Sequence, residues 1–339
     1  MPGKQITMLL TPLAALAALV PATGCGDFET VSIVLDLRVL SMRGEPPEVL
    51  VPFDPSELPS SPDQLELAPV DVCALVADPN DDRSLDYSMN ACAVTDSLRC
   101  DEPGSAVVPL VSDRTVADPE RADAPIEVCG TVEPLLLFEV VQEALEGDSL
   151  SGFGGINVLV DLAVRGAGEP VDNAVWAAKR IVYAPLDPPE RKANQNPILD
   201  QLRIVRDGRN EDESVAAPFG RCSDIGEPFP VTRGELLTFA PVENEQSRED
   251  YVVPTFDGGV RMFTENHTYN WFATTGEWSP EFTGGPRDLA GNEPDLDSEW
   301  TAPDDPEEIG DGLDVSVWVV QRDERGGQSW YETCLRVTP

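Results

Sequence analysis

VSVWVVQRDERGGQSWYETCLRV (Val315–Val337) is the stretch that decides the fold. Val315, Val317 and Val319 fall on alternate positions, and a period of two sets them on one face of a strand. Trp318 falls on the other face. Gly326 and Gly327 mark a turn, and Trp330 to Val337 supplies a returning strand, so the segment predicts an antiparallel hairpin.

The same grammar runs through the chain. Its 32 prolines and 26 glycines punctuate short apolar runs, the signature of an antiparallel sandwich. Strands are expected at Ile33–Val39 (Ile33, Leu35, Leu37 and Val39 facing inward), Val70–Ala77, Leu85–Cys92, Val107–Val111 and Ile126–Val132. Ile156–Val164 and Trp176–Tyr183 read as a hairpin across the GAGEP turn. One helix is expected over Glu133–Glu146. Pro134 suits its first turn, Leu137, Val141, Ala144 and Leu145 form one stripe, and Gly147 ends it. Asp187–Pro197 is polar and bounded by prolines, which reads as a boundary. Beyond it come short strands at Leu202–Val205, Leu236–Ala240, Met262–Phe263 and Tyr269–Ala273, then the hairpin above. The expectation is a mainly β chain of two antiparallel β-sandwich domains, residues 31–187 and 198–339, joined by a linker at 188–197. The first carries one short helix.

Residues 1–24 read as an export signal. Lys4 is the basic start, Ile6–Val20 the apolar core, and Ala22, Thr23 and Gly24 the small residues before a cut. The apolar run is too short to span a bilayer comfortably, and Pro12 and Pro21 interrupt it. Ala22-Thr23-Gly24-Cys25 resembles the lipobox of bacterial lipoproteins, although Ala22 stands where that family prefers leucine. The resemblance implies cleavage before Cys25, lipidation of its thiol (palmitate among the acyl chains), and residues 25–30 as a lipidated tether. Gly26, in place of an aspartate, implies the outer membrane of a Gram-negative envelope rather than the inner one.

Charge limits the partners. With 62 acidic against 23 basic residues and a net charge of −39, the surface repels nucleic acid and anionic headgroups. Removing residues 1–24 takes away only Lys4, so the mature chain is no less acidic. A hydrophobic content of 41% still supports a core, which excludes global disorder. Besides Cys25, six cysteines remain: Cys73, Cys92, Cys100, Cys129, Cys222 and Cys334. An even set in an exported chain reads as disulfides, and the absence of CxxC speaks against a zinc ribbon. If each domain keeps its own, Cys222 pairs with Cys334, and the first four have three pairings open.

YNWFATTGEW (Tyr269–Trp278), SEWTAPDD (Ser298–Asp305) and VSVWVVQRDERGGQSW (Val315–Trp330) together resemble immunoglobulin-like and polycystin-type repeat domains. DLRVLSMRGEPPEV (Asp36–Val49), followed by CALVADPNDDRSLDYSMNAC (Cys73–Cys92), resembles the opening of a similar domain. The two patterns together resemble surface lipoproteins of Gram-negative bacteria. The resemblance implies a fold and brings no catalytic residue with it.

Candidate sites are weighed against plainer roles. Asp78, Asn80, Asp82 and Asp86 offer hard oxygens to calcium, but Arg83 replaces the EF-hand glycine and Met89 the final glutamate, and a solvated turn after Val76-Ala77 is the plainer reading. The acidic run from Glu293 to Asp314 reads as a loose loop. Trp271, Trp278, Trp318 and Trp330 would stack on sugars if exposed and would form core if buried; Trp300 belongs to the same cluster. His267 is the single histidine and reads as a polar surface position, since no Gly-x-Ser-x-Gly accompanies it. Carboxylate pairs of the glycosidase kind are expected by chance among so many acids. The function expected is therefore a membrane-anchored, non-enzymatic envelope protein with a structural or binding role. The alternative is a carbohydrate- or adhesion-type module, with a carboxylate hydrolase behind it. Its partners are the membrane through the lipid and a protein or glycan; no cofactor is expected beyond calcium.

Overall fold

In the computed structural model the described residues are 31–51, 61, 68–78, 83–115, 126–150, 152–206 and 214–339. The export segment, Cys25 and the tether fall outside them. The first half forms β1 (Arg38–Glu45), β2 (Glu48–Val51), β3 (Val70–Ala77), β4 (Leu85–Ala93), β5 (Val107–Arg114), β6 (Ile126–Val132), β7 (Ile156–Gly166) and β8 (Val175–Pro185), with α1 (Phe138–Gly147) between β6 and β7. The second half forms β9 (Leu199–Arg206), β10 (Val215–Ala216), β11 (Phe229–Thr232), β12 (Leu236–Glu243), β13 (Asp250–Pro254), β14 (Val260–Thr264), β15 (Thr268–Ala273), β16 (Glu277–Ser279), β17 (Phe282–Gly284) and β18 (Ser298–Thr301). The helix α2 (Pro306–Ile309) follows, then β19 (Leu313–Arg322) and β20 (Gln328–Thr338).

These strands make four main sheets. Sheet I has the order β2-β8-β7-β4-β5, sheet II β1-β3-β6, sheet III β11-β20-β19-β15-β17 and sheet IV β10-β9-β12-β18-β16. The two halves repeat one plan. In each, a short strand runs parallel to the last one, β2 to β8 and β11 to β20, while the other ladders are antiparallel. Each half is an immunoglobulin-like sandwich. The hairpin β13–β14 stands apart from all four sheets.

Sheets I and II enclose one core, around Val72, Val76, Met89, Val160, Leu162 and Ile181. Sheets III and IV enclose another, around Phe239, Trp271, Trp300, Val317 and Leu335. A third apolar cluster joins them. Leu75 and Ala77 from the outer side of β3, with Val34 and Leu40, meet Trp318, Phe272 and Trp330 on the outer side of sheet III. Ser41 Oγ donates to Gln328 Oε1 at 2.7 Å, and the Arg43 guanidinium lies 4.2 Å over the Trp330 ring. Sheet II therefore packs on sheet III, and the four sheets stack in the order I–II–III–IV.

The Val315–Val337 hairpin forms as expected, with Val320 opposite Trp330 across the turn. So do the strands over Val70–Ala77 and Ile126–Val132. The expected Ile33–Val39 strand does not form. Only Ile33 bridges, to Ala273, and the ladder starts at Arg38. Val34 and Leu37 turn inward and Leu35 lies exposed, because this segment runs along the junction rather than within a sheet. The helix buries Leu137, Val140 and Val141. Its first turn, Pro134–Leu137, is a 3-10 turn, and Gly147 is its last residue, with Asp148 beyond as cap.

The six cysteines pair as Cys73–Cys129, Cys92–Cys100 and Cys222–Cys334. None crosses a sandwich core. Cys73 and Cys129 face each other on neighbouring strands. Cys92–Cys100 pins the loop over β7, where the buried Asp161 carboxylate accepts from Asn90 and from the Cys100 backbone N–H. Cys222–Cys334 closes a span of 112 residues and Cys92–Cys100 a span of 8. In the chain-entropy account, replacing Cys222 and Cys334 by alanine costs about 5 kcal/mol, and replacing Cys92 and Cys100 about half of that. Urea unfolding of the two double variants checks the order: the 222/334 variant unfolds at the lower midpoint.

Candidate functional site

Two groups of buried ionisable residues lie close to the strand ends where the sandwiches meet. The first surrounds Glu243 at the end of β12. Its carboxylate accepts from Tyr269 Oη at 2.5 Å, from Arg248 Nε at 2.7 Å and from His267 Nδ1 at 2.9 Å. Gln321 Nε2 donates to Tyr269 Oη at 3.1 Å. Burial pushes the Glu243 carboxyl up, but the hydrogen bonds from His267, Arg248 and Tyr269 outweigh it and hold the group down at about 2. Nδ1 of His267 faces the carboxylate, a charge-assisted bond, and also lies 3.0 Å from Gln321 Nε2. Nε2 has no partner among the described residues, and the ring is 0% exposed.

The surface reading of His267 is thus corrected: just before β15 the chain turns the ring inward, against Gln321 of β19. The arrangement has the carboxylate–imidazole half of a catalytic triad. Among the described residues no hydroxyl or thiol meets Nε2.

Beside this network opens a cleft of about 730 Å³, lined by Arg248, Glu265, Asn266, Arg287 and Glu293 among others. Arg287 and Glu293 pair across it. Glu265 is 1% exposed, and burial first, then the Asp323 charge, pushes its carboxyl up to about 7 despite Arg325.

The second group locks the two sandwiches together. Glu48 of β2 pairs with Arg191 at 2.8 Å and with Arg325 at 2.5 Å. Arg325 also reaches Glu265 at 3.3 Å. Glu48 accepts in addition from the Asn194 backbone N–H at 2.8 Å, and Asn194 Nδ2 donates to Asp323 Oδ2 at 3.0 Å. Asp323 in turn accepts from the backbone N–H of Arg325 and of Gly327, which ties the β19–β20 turn. Gly327 is required here, since a Cβ would sit 2.1 Å from the Asp323 carboxylate. Lys179 of β8 donates to Gly326 O, and burial lowers its ammonium to about 8. The segment 188–197, read as a linker, thus carries partners for both sandwiches, and Asn194 is fully buried.

None of these junction residues was a sequence candidate. Glu48 finds its arginines 143 and 277 residues away, beyond any local pattern. One signal existed: Lys179 occupies an inward position of the alternation through Ala177 and Ile181.

The sequence candidates fall elsewhere. Asp78 pairs with Arg83 at 2.8 Å and Asp86 with Arg114 at 2.6 Å. The Arg114 hydrogen bond, helped by the Gly168 N–H, lowers the Asp86 carboxyl. Asn80 and Asp82 lie outside the described residues. In the acidic run, Asp305 caps α2 through the Glu307 N–H, Glu308 accepts from Thr275 and Asp314 pairs with Arg336. The tryptophans are a correction to the sugar-stacking reading. Trp271, Trp278 and Trp300 sit inside the second core, and Trp318 lies between sheets II and III. Trp330 is half-buried under Arg43. Packing the sheets face to face takes Trp271, Trp278, Trp300 and Trp318 out of reach of a ligand. All six candidate disulfide cysteines are paired.

No family model matches this chain, and no curated protein does. Among solved structures, a red sea bream transglutaminase aligns at 11% identity over 90% of this chain and 32% of its own length, with a TM-score of 0.25. This chain thus spans about a third of the transglutaminase. A structure titled BspA_C_WT aligns at 9% identity over 80% of this chain and 93% of its own, with a TM-score of 0.18. Neither likeness bears on activity.

Two predictions follow from the buried charges. Arg325→Met leaves Glu48 and Glu265 short of a partner and lowers stability by about 3–5 kcal/mol. Arg38→Ala, which breaks the exposed pair with Asp36, stays within about 1 kcal/mol; chemical denaturation of both variants checks the contrast. The pH profile is two-sided. Glu243, depressed when folded, contributes stability that is lost as pH falls from the ordinary value of 4.5 toward about 2. Glu265 and Glu332 are both raised to about 7 chiefly by burial. Their contribution is full below 4.5 and is lost as pH rises through 7. Melting temperature should therefore peak near pH 4.5–5. Glu332→Gln should be the more stable chain at pH 8 and match the parent at pH 4.

Proposed function

We propose that this chain is an exported envelope lipoprotein, held to a Gram-negative outer membrane through acylated Cys25, with a non-enzymatic structural or binding role. The observation that carries the reading is the cysteine pairing. All six described cysteines are spent on disulfides, which persist in an oxidising compartment such as the periplasm or the cell surface. The seventh, Cys25, follows the export-type segment directly. More than one acyl chain on that residue would anchor the protein stably.

The two stacked sandwiches supply a stiff body for such a role, because the junction is both apolar and ion-paired. A binding role is favoured over catalysis because the one imidazole is sealed and the buried carboxylates are held by arginine, tyrosine and backbone N–H groups. A protein ligand is favoured over a glycan because Trp271, Trp278, Trp300 and Trp318 are used in packing.

Expressed from its natural start in a Gram-negative host, the protein should sediment with membranes, and its N-terminal peptide should begin at Cys25 with acyl mass added. Cys25→Ser should release it to the soluble fraction with an unchanged melting temperature. An unmodified N-terminus, or membrane association that survives Cys25→Ser, defeats the anchoring.

A further inference from the structure

The hairpin β13–β14 presents an edge that nothing in the described chain covers. β14 pairs with β13 alone, and all five of its residues are exposed. The Thr255 N–H donates to Gly259 O and the Glu265 N–H to Glu249 O. In an antiparallel ladder hydrogen-bonded pairs alternate with non-bonded ones. Arg261 and Phe263 therefore bond to β13, while the N–H and C=O groups of Val260, Met262 and Thr264 point outward. The opposite edge is blunted, since its outward positions include Pro254, which has no N–H. β14 has no proline, lysine or bulge, the devices that normally protect an edge strand. Two of its three outward residues are apolar and exposed, Met262 at 74% and Val260 at 49%.

We infer that a second copy of this chain covers that edge, with two β14 strands pairing antiparallel about a two-fold axis at Met262. The strand is self-complementary in this register. Met262 meets the partner's Met262 and Val260 meets the partner's Thr264, so each outward N–H finds a C=O. Arg261 faces the partner's Phe263, a cation–π contact, and Glu265 faces the partner's Gly259. Charge selects both the place and the register. On a chain of net charge −39, β14 contains one arginine and no carboxylate, so two copies approach here without setting acid against acid. Sliding the register toward the turn sets Arg261 against the partner's Arg261; sliding it the other way leaves Val260 without a partner inside β14. A single added ladder is a small interface, so the dimer is weak and forms at high local concentration.

Hydrogen exchange on the pure protein at low and high concentration tests the pairing. The amides of Val260, Met262 and Thr264 should gain protection with concentration, while those of Arg261 and Phe263 stay protected throughout. In a Cys25→Ser background, oxidation should cross-link Met262→Cys into a dimer, because directly opposed, hydrogen-bonded residues stand about 5.5 Å apart at Cα, within disulfide reach. Val260→Cys, whose counterpart lies four positions away along the partner, should stay monomeric. Met262→Lys sets two ammonium groups across the axis and should weaken association by roughly fivefold or more. Concentration-independent exchange of the three amides overturns the inference, as does equal cross-linking of the two cysteine variants. Protection gained only with an added strand-forming peptide also overturns it, in favour of a foreign strand.

Discussion

Sheet III has to be covered on both faces, and most of the architecture follows from that requirement. Its strands alternate, but both alternating sets are apolar or aromatic. Val315, Val317 and Val319 point to one side, Trp318 and Val320 to the other, and all of them are buried. One face closes against sheet IV in the ordinary way. The other needs a second apolar surface, and the outer side of sheet II supplies Leu75 and Ala77, with Leu40 beside them. Burying a large aromatic side chain such as Trp318 stabilises by several kcal/mol relative to truncation. Two sandwiches that a single plan would make separable are thus stacked into one four-sheet body.

Once the sheets are stacked, polar groups at the rim are dehydrated and must find partners. Glu48, Lys179, Asn194 and Asp323 are caught there, and the β19–β20 turn is shaped to meet them. Arg325 serves three carboxylates, Glu48, Glu249 and Glu265. A buried set of this kind adds little net stability compared with apolar packing, but breaking it is costly. Its effect is to specify one relative placement of the sheets. Glu243 answers the same need inside the second sandwich, where Tyr269, Arg248 and His267 meet its carboxylate.

The acidity of the chain has a different consequence. Arginine is concentrated in the places where carboxylates are buried or crowded, and the surplus acids remain on the surface. Such a surface keeps copies apart almost everywhere. The exposed hairpin strand β14 carries no carboxylate of its own.

Element type was legible where burial was one-sided or the pattern was long. Val70–Ala77, Ile126–Val132 and the Val315–Val337 hairpin announce themselves by period and turn chemistry, and the helix by its stripe. β2, β11, β16 and β17 did not, because strands of three or four residues carry too little period and gain their ladders from distant partners. The Ile33–Val39 alternation misled for a related reason: that segment is buried by the junction, not by a sheet. The sites were less legible. His267 carries no local sign of being sealed, and Glu48 meets its arginines only after the chain has folded twice. Of the tryptophans, alternation placed Trp318 on the far face of β19 but could not say what lay over it.

The order of residues alone thus determined a β-rich chain with paired strands, an even set of cysteines, an acidic surface and an export-like start. These depend on neighbours in sequence and on composition. Which cysteines pair, which faces close on each other and which charges are buried were decided by tertiary structure. Each of those outcomes is a meeting of residues far apart in the chain, and the desolvation that gives such a meeting its strength exists only once the sheets have stacked.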